Sequence, residues 1–444
     1  MVRVVIIGGG WSGCAAAVSA RKAGAETVLL ERTDMLLGTG LVGGIMRNNG
    51  RYTAAEEMIA MGGGDLIEIC DKDSRHKNVE FPGHKHASLY DIALTHGDVL
   101  KCLDGLGVKI FFKCRIVKLN RRDKVVVSVQ DSQGKVFEGD VFIDATGTAG
   151  PISNCTRYGN GCAMCIIRCP SFGGRESVTR LAGVEERVVM KDDGSPGAMS
   201  GSCKILKESL SEQIQETLNK KGVVIIALPE KLIQDHLRIK VCQQYANDEF
   251  RRNVVLLDTG HAKLMAPYFN LELLRQIPGL ENVRYEDPYA GGIGNSMRLF
   301  AIAPRDNHMK VEGVENLFCC GEKAGALIGH TEAIITGTLA GNNSVRHALG
   351  ADLIEIPQSL ACGDAVSFVK NEMDMEENMS RKYTFSGSVY FERMKELGLY
   401  TLDKGEIADR VKEAGMYGIF SSIVSKSNFK VFYKSDLLND RIKI

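Results

Sequence analysis

The apolar positions of the chain fall into two kinds of pattern. Residues 2–7, "VRVVII", are apolar apart from Arg3, run without alternation from Val4 and stop at a glycine, as a strand buried on both faces does. An alanine-rich run to about Lys22 follows with helical character, and "TVLLE" reads as a second strand ending at Glu31. Further on, residues 53–69 and 88–105 read as helices. The stretch from "VKIFF" at 108 to "VFIDATG" at 141 reads as strands, with D-S-Q-G-K as the turn between two of them. Helices are expected near 205–220 and 230–252, and again in "SVYFERMKELG" and "GEIADRVKEAG". The chain carries no internal repeat or low-complexity tract. None of its apolar runs approaches the ~20 residues a membrane helix needs, and the run at residues 2–7 is too short for a signal peptide.

Between the first two strands lies Gly8-x-Gly10-x-x-Gly13. Alone, G-x-G-x-x-G is a weak signal; here it leaves a strand, opens a helix and is followed about 20 residues later by Glu31. In that setting each glycine has a task. Gly8 permits the tight turn, Gly10 lets a pyrophosphate approach the backbone N–H groups of the helix N-terminus, and Gly13 lets the helix pack on the strand. Glu31 is expected to accept the ribose hydroxyls, so the motif predicts an adenine dinucleotide.

Composition narrows the class further. With 444 residues the chain suffices for two or three domains. Lysine plus arginine (55) balances aspartate plus glutamate (55), so no global field recruits nucleic acid or an anionic membrane. Thirteen cysteines without the spacing of a secreted disulfide framework point to a reducing, cytoplasmic setting.

Two later segments identify the dinucleotide by resemblance. The strand end "DATGT" at 144–148, and the segment "LFCCGEKAGALIGHTEAIITGTLAG" at 317–341, resemble the C-terminal fingerprints of glutathione-reductase-like FAD proteins. Within that superfamily they resemble the glucose-inhibited division protein A and folate-dependent tRNA uracil-5-methyltransferase group, over residues 1–50, 138–175 and 285–349. The resemblance implies an α/β fold. A Rossmann-type FAD-binding domain (1–150 and 286–350) would hold an inserted α+β substrate domain (151–285), with a C-terminal helical cap or dimerisation region (351–444). It implies FAD held by Gly8, Gly10, Gly13, Glu31, Arg32, Gly40, Thr146, Gly147, Gly321, Glu322, Gly329 and Thr331. Glu322 would meet the ribityl or pyrophosphate region, and the helix starting near Gly329 would aim its positive end at the flavin. His330, Thr331 and Glu332 then stand at that helix start, and Arg47, Asn48, Asn49 and Arg51 line the loop toward the ring.

The remaining chemistry centres on "NGCAMCIIRCPSF". Cys162, Cys165 and Cys169, with Cys155 upstream, overlap the last steps of a ferredoxin run and would hold a [4Fe–4S] cluster if they converged. A strand reading instead separates them on alternate faces. Three alternatives stay open: an iron–sulfur cluster, an active-site thiol or thiol pair beside the flavin, and inert core cysteines. No zinc spacing is completed, and His84 and His86 in "PGHKH" read as solvated loop histidines.

The candidate catalytic groups are therefore Cys162, Cys165, Arg168, Cys169, Arg298 and His330. In the uracil methyltransferases a nucleophilic cysteine sits in a segment similar to "LVGGIMRNNG", where this chain has Gly43 and Gly44, which argues against uracil C5 methylation. The division-protein family carries a longer C-terminal helical region for tRNA. The leading expectation is a cytoplasmic, homo-oligomeric FAD-dependent oxidoreductase moving hydride or electron pairs between flavin and a small substrate or a redox partner protein. The alternatives are a flavin-dependent RNA uridine-modifying enzyme, and an FAD plus [4Fe–4S] electron-transfer subunit.

Overall fold

The computed structural model describes residues 1–147, 176–188, 198–199, 202–233, 248–266, 269–286, 297–298, 301–379 and 381–425. Of Val42, Ala198, Met199, Met297, Arg298 and Ser388 it describes the backbone alone. Its central feature is a five-stranded parallel sheet in the order Leu317–Cys319, Val141–Asp144, Arg3–Ile7, Glu26–Leu30, Lys109–Phe111. Val5 lies opposite Phe142 on one side and Val28 on the other. Val4, Val5, Ile6, Val28, Leu29 and Leu30 are fully buried, which explains why the first strand does not alternate.

Helix Trp11–Lys22 follows the first strand, and helix His330–Leu349 packs along it. Glycines set how closely the two approach. A Cβ on Gly337 would sit 2.2 Å from the carbonyl oxygen of Ser12, and one on Gly341 2.3 Å from that of Ala16. Any side chain there would push the helices apart.

Before the strand Val141–Asp144 comes the expected meander, Ile116–Arg122, Val125–Asp131 and Val136–Glu138. Its D-S-Q-G-K turn closes on Asp131, whose Oδ1 accepts from the N–H groups of Gln133 and Lys135, each at 2.9 Å.

A second, antiparallel sheet has the order Cys203–Ile205, Ala262–Leu264, Asn253–Asp258, Val223–Ala227. One face carries Cys203, Ile205, Leu256 and Leu264 in an apolar cluster of its own, with Leu218 of helix Glu212–Lys221. The opposite face, with Val255, Leu257 and Met265, packs on Ile45 and Leu89. Those two belong to a small three-stranded sheet of Ile45–Met46, His84–Tyr90 and Ser74–Phe81.

Helices Ala361–Asp374, Ser388–Glu396 and Lys404–Glu413 follow. Buried Glu57 ties the first of them down, accepting from the N–H groups of Ala361 (2.9 Å) and Cys362 (2.8 Å) at its N-terminus. Among the described residues, no helix is long and apolar enough to cross a membrane.

Several element boundaries differ from those expected. The helix expected over 53–69 is two, Arg51–Ala60 and Asp65–Lys72, because the consecutive glycines 62–64 break it and Gly62 takes φ +81°. The helix expected from 88 begins at Ile92, where Asp91 caps the N–H of Ala93 at 3.1 Å, and residues 88–90 end a strand instead. Residues 203–205 are strand, and the helix expected there starts at Glu212. In 230–252 the described residues form only a turn at Glu230–Leu232 and a short helix at Asp248–Arg252.

Candidate functional site

The glycine loop is built as its sequence demands. Gly8 takes φ +109°, and a Cβ there would lie 2.2 Å from the carbonyl oxygen of Ala145, so only glycine fits between the two strand ends. A Cβ on Gly13 would lie 1.8 Å from the carbonyl oxygen of Gly8. Gly10 differs, since nothing lies within 4 Å of its Cβ position. It faces open space at the N-terminus of helix Trp11–Lys22, which has no side-chain cap. This cradle, empty beside Gly10 and lined by N–H groups without a side-chain cap, fits a pyrophosphate. The Glu31 carboxylate is buried beside it. Oε2 accepts from the N–H of Gly9 at 2.7 Å, and Oε1 from the N–H (2.7 Å) and hydroxyl (2.9 Å) of Thr33. The two bonds fill Oε1, whereas Oε2 keeps one further lone pair, so bracing the loop and receiving one ribose hydroxyl are compatible. Arg32 follows it in the chain.

Thr146 and Gly147 leave the neighbouring strand. Asp144 shapes this turn, accepting from Thr146 Oγ1 at 2.6 Å through Oδ1 and from the N–H and hydroxyl of Thr179, both 2.8 Å, through Oδ2. Across the sheet, Gly321 takes φ +66°, and a Cβ there would meet Ser12 Oγ at 2.5 Å, which brings the return segment with Glu322 against the start of the first helix. Gly40 is held just as closely, because a Cβ would lie 2.2 Å from Trp11 Nε1. Gly8, Gly10, Gly13, Glu31, Gly40, Thr146, Gly147 and Gly321 thus gather at the C-terminal ends of the parallel strands.

Gly329 caps helix His330–Leu349 with φ +148° and no side-chain cap bond. His330, its first residue, joins an aromatic group not anticipated from sequence. Tyr90 Oη and His330 Nδ1 share a hydrogen bond at 3.0 Å, and the Trp11 ring lies 5.8 Å from His330 and 6.1 Å from Tyr90. Burial pushes the Tyr90 phenol well above its ordinary range, so it stays protonated and can donate to His330. Trp11 Nε1 is buried and has no hydrogen-bond partner among the described residues. Thr331 Oγ1 contacts Met46 Sδ at 3.7 Å.

The polar residues expected to line the loop toward the ring act mainly as braces. Arg51 forms a buried pair with Glu332, its Nε 3.1 Å from both carboxylate oxygens. Glu332 Oε1 also accepts from Thr384 Oγ1 (2.7 Å) and the N–H of Phe385 (3.1 Å). Arg47 grips Asp71 through two bonds of 2.7 and 2.6 Å and Glu56 through one of 2.5 Å. Asn48 reaches His84 Nδ1 at 2.9 Å, and Asn49 the carbonyls of Gly83 and Ser386. His84, read from sequence as a solvated loop histidine, is 2% exposed and stacks on Phe81 in a strand. His86 lies on the same strand, with Nδ1 3.0 Å from Asn78 Oδ1.

The Gly43–Gly44 step is enclosed on both sides. A Cβ on Gly43 would fall 2.0 Å from His330 Cε1, and one on Gly44 (φ +102°) 2.4 Å from Thr259 Cγ2. The imidazole and the Thr259 methyl thus fill the space that side chains at 43 and 44 would need. Beyond Thr259 lies His261, its Nε2 3.3 Å from Thr259 Oγ1, and burial holds that imidazole well below its ordinary pKa.

Cys155, Cys162, Cys165, Arg168 and Cys169 lie outside the described residues, as does the Arg298 side chain; its backbone pairs with Ala198. No metal-binding group of His, Cys, Asp or Glu occurs among the described residues. Of the thiols that are described, Cys319 and Cys320 sit at the sheet edge. Burial raises both, Cys320 to about 12, so neither is a thiolate near neutrality.

With this geometry in place, comparison with known proteins decides the group. The family model described as "Glucose inhibited division protein A" matches residues 3–253 and 260–352. The chain belongs to the glucose-inhibited division protein A family. That membership makes it one of the FAD-dependent flavoproteins of glutathione-reductase-like type. Two solved structures of Aquifex aeolicus GidA, crystal forms II and I, superpose with TM-scores of 0.62 and 0.59. Each alignment covers 93% of this chain, and 76% and 78% of theirs, at 15% identity, so the likeness is one of fold. Among curated relatives, the methylenetetrahydrofolate–tRNA-(uracil-5-)-methyltransferase TrmFO of Ruegeria sp. (strain TM1040) is 31% identical over 98 residues, 22% of this chain and 21% of that protein. TrmFO of Fervidobacterium nodosum is 27% identical over 107 residues, 23% and 24% of the two chains. The matches span less than a quarter of these relatives' length.

Proposed function

We propose that this division-protein-A family member is a flavin-dependent enzyme that modifies a uridine of tRNA. The observation that carries the proposal is the family match over residues 3–253 and 260–352, supported by the likeness to two tRNA-(uracil-5-)-methyltransferases. Of the three readings drawn from sequence, the first two thereby exchange places, and RNA modification becomes the lead. In this reading residues 1–150 and 286–350 hold FAD, 151–285 receive the substrate, and 351–444 form the cap or dimerisation region.

Bound flavin would supply reducing equivalents at its ring. The chain's own residues do the rest. N–H groups beside Gly10 neutralise the pyrophosphate, and Glu31 orients the ribose. The N-terminus of helix His330–Leu349 places positive potential toward the pyrimidine edge of the ring, where charge builds up on reduction. Tyr90 donates to His330 Nδ1, which puts the imidazole proton on Nε2, where it can be donated in a hydrogen bond on the substrate side. Trp11 and Tyr90 keep that proton away from bulk water.

Gly43 and Gly44 argue against uracil C5 methylation by a thiol at that loop, because His330 and Thr259 fill the space. The modification is therefore expected at another atom or of another kind. That feature, with the balanced net charge, is also what favours the second reading, oxidation or reduction of a small substrate. Nucleoside mass spectrometry of tRNA from cells with and without the gene tests the choice. A uridine derivative that disappears with the gene and returns with it is expected. Identical nucleoside profiles, together with bleaching of the flavin band by a small donor, would overturn the RNA reading.

A further inference from the structure

The inserted sheet ends on one side in an open strand, Val223–Ala227. The carbonyl of Gly222 accepts from the N–H of Asp258 at 2.9 Å, and the N–H of Leu228 donates to the carbonyl of Arg252 at 2.8 Å, so the ladder with Asn253–Asp258 is anchored at both ends. Backbone groups alternate from side to side along a strand. Val224 and Ile226 therefore turn theirs into that ladder, and Val223, Ile225 and Ala227 turn N–H and C=O outward. Among the described residues, no strand lies beyond them and no hydrogen bond reaches these outward groups. The neighbouring elements cover the faces of the sheet and leave this edge clear. Helix Glu212–Lys221 touches both Val223–Ala227 and Asn253–Asp258 from the side of Leu256, and strand Ser74–Phe81 touches both from the side of Leu257. The opposite edge is closed. There the N–H of Glu286 bonds the carbonyl of Lys204 (2.9 Å) and that of Leu206 the carbonyl of Arg284 (3.0 Å), on a strand where Lys204 stands across from Lys263.

An open edge is a template for another strand, and natural sheets guard it with a charge, a proline or a bulge. The run "VVIIA" has none of these, pairs with its neighbour in unbroken register, and leaves Ile225 49% exposed. It also matches itself. In an antiparallel pairing about a two-fold axis through Ile225, all three outward residues of each copy find partners. Val223 then faces Ala227, Val224 faces Ile226 and Ile225 faces its own copy, so every cross-strand pair is apolar on apolar. Neighbouring registers fail. An axis at Val224 would set Ala227 against Lys221, and one at Ile226 would set Val223 against Pro229, which has no N–H to give. The axis at Ile225 also carries exposed Lys220 and Lys221, at the start of each strand, toward exposed Glu230 at the end of the other, with Lys231 the like charge at that corner.

We propose that Val223–Ala227 is a dimerisation edge, to which a second copy of this chain adds the same strand, antiparallel about Ile225, so that two four-stranded sheets become one continuous sheet. The pairing stands apart from the tRNA reading.

Sedimentation velocity of the full-length, flavin-loaded chain reads the association. An interface this small is expected to give a reversible dimer with a dissociation constant on the order of 10 µM. Ile225→Lys sets two lysines face to face across the axis and leaves the ladder with Asn253–Asp258 alone. It is expected to weaken association about 10-fold or more, with flavin content and far-ultraviolet circular dichroism as in wild type. A wild-type chain that stays monomeric up to about 200 µM, or a dimer that Ile225→Lys leaves equally tight, would overturn the proposal. Cysteine pairing reads the register. Hydrogen-bonded residues directly opposite each other stand about 5.5 Å apart at Cα, within the range of about 4.4–6.8 Å that a disulfide spans. Under mild oxidation Ile225→Cys is expected to yield a 225–225 linked peptide in mass spectrometry, and Val224→Cys, which faces Ile226 of the second copy, about 5-fold less of a 224–224 link. Absence of the 225–225 link, or a 224–224 link in equal yield, would overturn the axis at Ile225.

Discussion

Replacing Lys263 by methionine should make the free protein more stable, and by an amount that depends on pH in a defined way. The methionine keeps the length and apolar stem of lysine and removes only the amine, so packing around the stem changes little. The buried amine titrates near 7 in the folded chain against 10.5 for an ordinary lysine. Between these values the unfolded chain holds one proton more than the folded one, so wild-type stability rises with pH across that interval. The cost is fully present below pH 7 and is gone above about 10.5. At about 1.4 kcal/mol per pH unit, the interval sets a ceiling of about 5 kcal/mol, with about 2–5 kcal/mol expected after local relaxation. That is a large share of the ~5–15 kcal/mol that holds a domain folded. Urea unfolding of both proteins in chloride buffer at pH 6.5 and 9.5 reads it directly. Lys263→Met should be the more stable at pH 6.5, and the gap should shrink to about 1–1.5 kcal/mol at pH 9.5, because roughly one pH unit of the shift then remains. Parallel stability profiles for the two proteins would refute the reasoning, since the burial and the cross-strand charge would then have no thermodynamic effect.

Other substitutions probe the remaining parts of the site. Gly13→Ala sets a methyl 1.8 Å from a backbone oxygen that cannot move aside, so purified protein should lack the absorbance of bound flavin near 450 nm. Arg51→Met leaves Glu332 buried without its partner and should lower stability by about 3–5 kcal/mol in chemical denaturation. Gly43→Ala should destabilise through its contact with His330, and much of that loss should vanish in a His330→Ala background, a coupling that a double-mutant cycle measures. Tyr90→Phe removes only the hydroxyl that His330 uses, so stability should fall by about 1 kcal/mol while the pH dependence of turnover shifts.

What the sequence reveals of this molecule follows the range of the interactions involved. The glycine loop is local: Gly8, Gly10 and Gly13 act on their own strand and helix, and the structure gives them the geometry their spacing predicts. The return helix His330–Leu349 is legible in another way, through the resemblance of its segment to the fingerprints of FAD proteins. Contacts made across the fold are another matter. Arg51 and Glu332, 281 positions apart, each suggest a site residue in isolation, and only their meeting makes them a brace. His84 looks like a solvated histidine until the strand around it turns it against Phe81. Lys263 gives no signal at all, since "HAKLM" resembles any half-polar strand and its meaning comes from a cross-strand register with Lys204.

The glycine crossing between the two long helices also sets a schedule for synthesis. Ser12 and Ala16 emerge early from the ribosome, whereas the glycines that cover them, Gly337 and Gly341, follow more than 300 residues later. At about 5–20 residues per second that is a wait on the order of 20–60 s. The apolar cluster of the inserted sheet, drawn from residues 203 to 283, is complete well before then. The insert is thus free to fold first, while the first helix stays half-covered and the strand Leu317–Cys319 is still missing from the parallel sheet. Cofactor loading is in consequence a late event in the life of each chain, and a nascent protein stalled before residue 341 would carry a finished insert on a nucleotide fold that cannot yet close.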